Sequence, residues 1–404
     1  MYAECRTDPA RGPPRRACLQ SRRHAHCGAA GAMRVLHVYK TYYPDSVGGI
    51  EQVICQLARG LSSLGAESRI FVLSPSPEPE VLSRPEAQVH RCRTTVNISS
   101  NTMSVQALSH FRREVEWADV IHYQFPWPFG DVLHLLWGHR KPSIVTYQSD
   151  IVRQKRLMTL YRPLMMRFLE SVDTVVATSP GYMESSAVLR SLHHAVDVVP
   201  NGVDEETYPP PSAEVLAKWR ARVGEGFFFF VGVLRYYKGL QTLVQAAKGF
   251  DGQVVIAGDG TEGASLHQQV KDDGVTNVHL LGHISEEDKM ALMALSRAFV
   301  FPSDVRSEAF GMSLVEAAMC GKPMISCEIG TGTSFINMGG ETGWTVAPGD
   351  ADQLRHAMQK LASDDAQAAE MGRAARRRYR EMFTARHMAQ AYLSIYRRML
   401  DARK

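Results

Sequence analysis

From Met33 to about residue 350, short apolar runs alternate with stretches whose apolar residues recur at helical spacing. Val35–Tyr39 is the first run. Ile50, Val53, Ile54, Leu57, Leu61 and Leu64 follow at intervals of three and four, the signature of a helix that buries one face. Ser68–Leu73, Val120-Ile121-His122, Ile144–Tyr147, Thr174–Ala177 and Asp197–Val199 continue the series as predicted strands. Strands that alternate with helices imply parallel sheets covered by helices on their faces.

Pro200-Asn201-Gly202-Val203-Asp204 predicts a turn, and Pro209-Pro210-Pro211 a stiff linker. A domain boundary is expected there, because a second series then starts. Phe227–Val231 predicts a buried strand; its four aromatics fit a core strand better than a ligand box. Val254–Ala257, Val278–Leu281, Ala298–Phe301 and Pro323–Ser326 extend the second sheet. From Gln353 the pattern turns helical, and Ala385–Leu400 predicts a closing helix.

Composition changes this picture only at the N-terminus. The chain has 404 residues, 45% hydrophobic and 22% charged, which is ordinary globular usage. No run approaches the roughly 18 apolar residues of a membrane span. Residues 1–32 hold six arginines against Glu4 and Asp8, and so carry the whole net charge of +4. The basic balance therefore gives no argument for nucleic acid. This segment lacks the apolar block of a signal peptide. It reads either as a disordered arm or as sequence upstream of a true start at Met33. The seven cysteines form no CxxC pair, which suits a reducing compartment and gives no zinc motif.

The strongest chemical signal is Phe301-Pro302-Ser303-Asp304-Val305-Arg306-Ser307-Glu308-Ala309-Phe310-Gly311-Met312-Ser313-Leu314-Val315-Glu316. A strand ends, a polar loop carries Glu308 to Gly311, and a helix starts near Met312 with Glu316 on its second turn. Helix starts present free N–H groups and the positive end of the dipole, which suits a diphosphate. On spacing alone, a helix start with ordinary acidic residues explains the segment equally well. Three further segments add weight. Gly232-Val233-Leu234-Arg235-Tyr236-Tyr237-Lys238 places two cations after a strand. Gly258-Asp259-Gly260 is a second glycine turn, and Gly321-Lys322-Pro323 closes the helix.

Together these segments resemble the retaining glycosyltransferases of family 4, over Met33 to about residue 400. The resemblance implies an α/β GT-B fold: two Rossmann-like domains facing a central cleft. Residues 33–200, with the closing helix at about 385–404, would form the acceptor-side domain, and residues 201–384 the nucleotide-sugar-binding domain. It also implies roles. Glu308 would be the catalytic-site carboxylate on the donor sugar, and Glu316 would hold the donor ribose. Amides near Gly311, Met312 and Ser313 would face the diphosphate, as would Lys238; Gly232, Arg235, Gly258 and Phe310 would belong to the donor-binding site, with Gly48-Gly49 closing on the phosphates and acceptor from the other domain. His283, within Leu281–Ile284, would lie near the base, although a surface histidine fits as well. His122, Gln148 and Asp150 would position the acceptor side.

Two departures bear on mechanism. Val233 stands where family members often have arginine. Gln124 and Gln148 stand where histidines are frequent; glutamine can hydrogen-bond but takes no proton. Shorter stretches, Met33–Asp45 and Ser149–Lys155, resemble bacterial enzymes that build polymannose or D-rhamnan O-antigen from GDP-sugars. The function implied is transfer of mannose or a 6-deoxyhexose from a GDP-sugar to a lipid-linked or other glycan acceptor. The nucleotide-sugar would be a co-substrate, with no cofactor and no metal. Asp350-Ala351-Asp352 reads as a helix cap and not as a metal motif. The location implied is the cytoplasm, with possible peripheral contact at the inner membrane. The basic, apolar stretch Ile151–Leu169 fits either such contact or a core-packed helix. Two other classes stay open: a non-catalytic subunit of a glycan-assembly complex, and a nucleotide-sugar epimerase of similar fold.

Overall fold

The computed structural model describes residues 32–98, 101–151 and 155–403. The expectations for residues 1–31, for Arg153 and for the side chains of 155–157 lie outside the described residues.

The first lobe is built on β1 (Arg34–Val38), β2 (Glu67–Ser74), β3 (Val81–Ser83), β4 (Gln88–Arg93), a small separate hairpin of β5 (Val96–Ile98) and β6 (Asn101–Met103), then β7 (Val120–Phe125), β8 (Ser143–Tyr147), β9 (Thr174–Ala177) and β10 (Val196–Val198). Eight of these form one sheet in the order β10-β9-β8-β7-β1-β2-β4-β3. All pairs are parallel except β3 with β4. The second lobe holds β11 (Phe228–Val231), β12 (Val254–Ala257), β13 (Val278–Leu280), β14 (Ala298–Phe301), β15 (Met324–Cys327) and β16 (Gly343–Val346). They form a parallel sheet ordered β13-β12-β11-β14-β15-β16.

Both sheets are covered on both faces, which explains their runs of apolar residues. Phe227, Phe228, Phe229 and Phe230 are all essentially inaccessible and pack in the second-lobe core. Burying each ring contributes roughly 1.5–3 kcal/mol before chain entropy is subtracted. In the first lobe, helix Gly49–Ser63 turns Val53, Leu57 and Leu61 inward. After the second lobe, helix Ala385–Asp401 returns to the first and packs Met388, Tyr392 and Tyr396 into that same cluster. Gly60 admits this close crossing, since a Cβ there would lie 2.7 Å from the Ala389 Cβ.

The structure differs from expectation at several points. Strands β3 to β6 were not foreseen, because β4 (Gln88-Val89-His90-Arg91-Cys92-Arg93) is polar. Its Arg91 is buried, but it donates to Ser74 Oγ at 2.9 Å and pairs with Asp45 at 3.2 Å. Strand β7 runs on to Phe125, three residues beyond the expected run. The helical C-terminal pattern resolves into Ala351–Ser363 and Asp365–Met382 before the closing helix. In helix Lys155–Ser171, Met165, Phe168 and Leu169 pack in the core while Leu160 is exposed. Most of that apolar face is therefore used inside the lobe. Among the described residues, no helix is long and apolar enough to cross a membrane.

Candidate functional site

In open parallel sheets, ligands bind beyond the carboxyl ends of the strands, where the strand order reverses. In the second lobe that point lies between β11 and β14. The loops leaving those strands carry Lys238 and Glu308, and the two side chains meet there. Lys238 Nζ donates to Glu308 Oε2 at 2.5 Å, and Ser303 Oγ donates to the same oxygen at 3.2 Å. The pair is largely buried, with 11% and 12% of the side chains exposed. Lys238 Nζ also lies 4.6 Å from the Phe301 ring centroid, an attractive cation–ring contact. Burial, and after it Glu308, pushes the Tyr237 phenol above its ordinary range.

Helix Met312–Met319 starts beside this pair. Gly311 caps it at φ 104°, a left-handed conformation that favours glycine. Leu314 N is the first amide to bond back, to Gly311 O at 3.0 Å. The amides of Met312 and Ser313 therefore lie beyond the helix ladder, at the positive end of the dipole. The Phe310 side chain is buried, 6.2 Å from the Phe383 ring in the second-lobe core. Across the seam, a Cβ on Gly49 would lie 3.7 Å from Met312 Cγ. The starts of a first-lobe and a second-lobe helix thus abut. Gly48 is the cap of the first of these, and Glu51 in its first turn accepts from Ser46 Oγ at 2.6 Å.

Glu316 is buried and heavily bonded. Its Oε1 accepts from Gln52 Nε2 at 2.8 Å, Tyr208 OH at 3.0 Å and Lys289 Nζ at 3.0 Å. Burial opposes the Lys289 charge, but Glu316 and Glu286 outweigh it and raise that pKa. Burial, with Glu316 adding to it, also holds the Tyr208 phenol protonated. Gln52, Tyr208 and Lys289 carried no signal in the sequence reading. Nor did Lys40, a half-buried lysine just after β1. Burial lowers its pKa; Glu51 opposes that and Arg235 adds to it, so Lys40 and the exposed Arg235 share one electrostatic neighbourhood across the seam.

The remaining expected residues are placed as follows. Gly258 and Gly232 are packed back to back: a Cβ on Gly258 would sit 2.0 Å from Gly232 O. Backbone contact explains that glycine without a ligand. His283 is exposed in the turn after β13. His122 lies on β7, inside the first sheet. It is fully buried, with Nδ1 at 2.7 Å from Tyr396 OH and Nε2 at 2.7 Å from Thr146 Oγ1. Burial, then His37, holds its pKa well below the ordinary value. Any effect it has at the seam passes through Gln124 to Gln148, whose Nε2 donates to Gln124 Oε1 at 2.8 Å. Asp150 does reach the seam, at 3.5 Å from Arg306 of the second lobe.

A sequence profile described as Glycosyltransferase Family 4 matches residues 47–207, and one described as Glycosyl transferases group 1 matches residues 212–378. A D-rhamnosyltransferase, WbpZ, from Pseudomonas aeruginosa is 51% identical over 353 residues, 87% of this chain and 93% of its own. The chain belongs to glycosyltransferase family 4. An O-antigen chain mannosyltransferase C from Escherichia coli is 44% identical, over 92% of this glycosyltransferase and 100% of its own chain. The fold matches a sucrose-phosphate synthase from Thermosynechococcus elongatus at TM-score 0.75 and 22% identity, covering 92% of this chain and 100% of that one. The fold is GT-B, and the protein is an enzyme. In the glycosyltransferase, Asp350 Oδ1 accepts from Gln353 N at 2.9 Å as a helix cap, and Asp352 pairs with Arg355 at 3.0 Å. Both carboxylates are thus engaged in the first turns of a helix.

Proposed function

We propose that this glycosyltransferase moves mannose or a 6-deoxyhexose from a GDP-sugar to a glycan acceptor in O-antigen or other surface polysaccharide synthesis, with retention at the anomeric carbon. The observation that carries this reading is the buried Lys238–Glu308 pair at the second-lobe strand reversal, beside two abutting helix starts. Two positive helix ends facing one another favour an anion between them. The diphosphate lies there, against the amides of Met312 and Ser313, with Lys238, Arg235 and Lys40 as cations. Glu308 takes hydroxyls of the donor sugar. All three protein donors to Glu316 converge on Oε1, which leaves Oε2 for the ribose. The base lies toward Leu281–Ile284 and His283. Residues 33–200 with the closing helix take the acceptor, and residues 201–384 take the donor. The names of the two near relatives support mannose or rhamnose as the sugar.

In the reaction, the bond from the anomeric carbon to the diphosphate oxygen breaks, and the acceptor oxygen attacks the same face. The acceptor proton passes to the departing diphosphate, which leaves as GDP. The helix starts and cations stabilise the negative charge that develops there. No metal is required in this scheme. The enzyme works in the cytoplasm, and exposed Leu160 on helix Lys155–Ser171 supports peripheral contact with the inner membrane. Calorimetry with GDP, UDP and ADP tests the donor. GDP binds most tightly if the reading holds; UDP or ADP binding at least as tightly contradicts the GDP assignment.

A further inference from the structure

Glu308 belongs to the second lobe, yet the loop that carries it is held by the first. Arg306, two residues earlier, forms an ion pair with Asp150 at 3.5 Å. Asp150 is a fixed partner. Its Oδ1 accepts from Tyr147 OH at 2.9 Å and Ser186 Oγ at 2.8 Å, and its amide donates to Tyr182 OH at 2.5 Å. Arg306 is fixed from its own side by donation to Gly330 O at 2.9 Å and Ile329 O at 3.3 Å. Its guanidinium lies 5.5 Å from the Tyr182 ring centroid. A second bond crosses the seam at the same place, from Ser185 Oγ to Gly330 O at 2.6 Å. On the other side of Glu308, Ala309 is buried in the apolar cluster of the first lobe. The Glu308 loop is therefore gripped by first-lobe partners on both flanks.

A pair with 33% and 20% of its side chains exposed contributes little to stability in water. Its geometric consequence is larger, because it ties the loop after β8 to the loop that carries the donor-sugar carboxylate. We propose that Arg306 is a positioning residue: its pairing with Asp150 places Glu308 for transfer when the two lobes are closed on each other. The proposal rests on the reading of Glu308 as the carboxylate on the donor sugar. The closed seam carries the first-lobe loop, the ion pair and Glu308 as one connected unit. Loss of the pair leaves nucleotide contacts in the second lobe intact, so the effect falls on turnover and not on nucleotide affinity.

Arg306→Met, Arg306→Lys, Asp150→Asn and the double variant Asp150→Asn/Arg306→Met test this, with GDP for binding and GDP-mannose plus a polymannose acceptor for turnover. A misplaced reacting group of this kind lowers kcat by about 10²-fold in Arg306→Met. GDP affinity stays within about twofold, since only transition-state contacts are lost. Arg306→Lys recovers part of the loss, and the double variant is no worse than the poorer single variant, as expected of two residues acting through one contact. Independently of any donor, amide exchange over Val305–Gly311 is about tenfold faster in Arg306→Met, because the loop opens locally. Unchanged exchange in Arg306→Met overturns the proposal. So does turnover at the wild-type rate while Glu308→Gln abolishes transfer, or single losses that multiply in the double variant. If Glu308→Gln itself turns over normally, the underlying reading of Glu308 is what fails, and the exchange measurement still decides the coupling.

Discussion

Two carboxylates eight residues apart meet different surroundings. Glu308 has one cation and one hydroxyl on a single oxygen, Oε2, so in the proposed reading Oε1 takes sugar hydroxyls while the Lys238 pair stays in place. Removing its hydrogen-bonding charge should cost about 2–4 kcal/mol of transition-state stabilisation, the scale of one preorganised polar contact. Glu308→Gln should therefore lower kcat sharply with the melting temperature little changed; turnover near wild type in a folded variant would remove Glu308 from the site. Glu316 is one of two carboxylates on the buried Lys289 ammonium; deleting it leaves that charge to Glu286 alone, 2.7 Å away, and leaves Gln52 and Tyr208 without their shared acceptor. Glu316→Ala should lose about 1–3 kcal/mol of stability in urea unfolding, while Glu316→Gln, which keeps an acceptor for Gln52 and Tyr208, should lose less. Equal losses in the two variants would contradict that acceptor role. The legible residues were those that follow a strand within one motif: Glu308, Glu316, Lys238 and the helix start. The partners of Glu316 were not legible, because Gln52 and Tyr208 stand 264 and 108 residues away from it. Each looks like an ordinary surface residue in its own segment. Phe310, inside the strongest motif, packs its ring in the second-lobe core, which the motif by itself does not reveal.

At the level of elements, the buried parallel strands were readable because both faces are apolar. Strand β4 was not, because its buried arginine is neutralised by Asp45, in the loop after β1. Polar groups inside the first sheet also carry a pH prediction. His37 on β1 and His122 on β7 have their ring centroids 5.5 Å apart, and both are fully buried. The polar groups bonded to them are Ser68, Thr146, Gln124 and Tyr396, none of them a carboxylate. Burial lowers the His37 pKa from 6.5 to about 3. A histidine with a depressed folded pKa takes up protons first in the unfolded chain. Stability is therefore full above pH 6.5 and falls as pH drops from 6.5 toward 3. At pH 5 the loss from His37 alone is roughly 2 kcal/mol, from a 1.5-unit gap to the unfolded value. Urea unfolding from pH 7 to pH 5 should show the decline, and a His37→Gln variant should flatten it. A wild-type stability that is level over this interval would count against neutral buried histidines.

For the whole molecule, the alternation of strands and helices, with the proline-rich break at residues 200–211, made the two-lobed α/β architecture readable, but not how the lobes touch. The seam is built from Asp150 with Arg306, Ser185 with Gly330, Gln52 with Glu316, and Gly49 with Met312. Each contact joins residues far apart in the chain, and no local pattern marks them. The seam brings together helix starts and cations where the departing diphosphate needs positive charge, and this underlies the proposal of transfer without a metal. Transfer should persist in excess EDTA; activity that is lost with chelator and restored by manganese would contradict it. Acceptor-dependent transfer of a GDP-linked sugar with retention is decided by incubating the enzyme with GDP-mannose or GDP-rhamnose, with and without a polymannose or rhamnan acceptor, followed by NMR of the product. GDP release should require the acceptor, and an α-linked sugar should be added to it; release of GDP without acceptor, no consumption of either donor, or a β-linked product would overturn the proposed function.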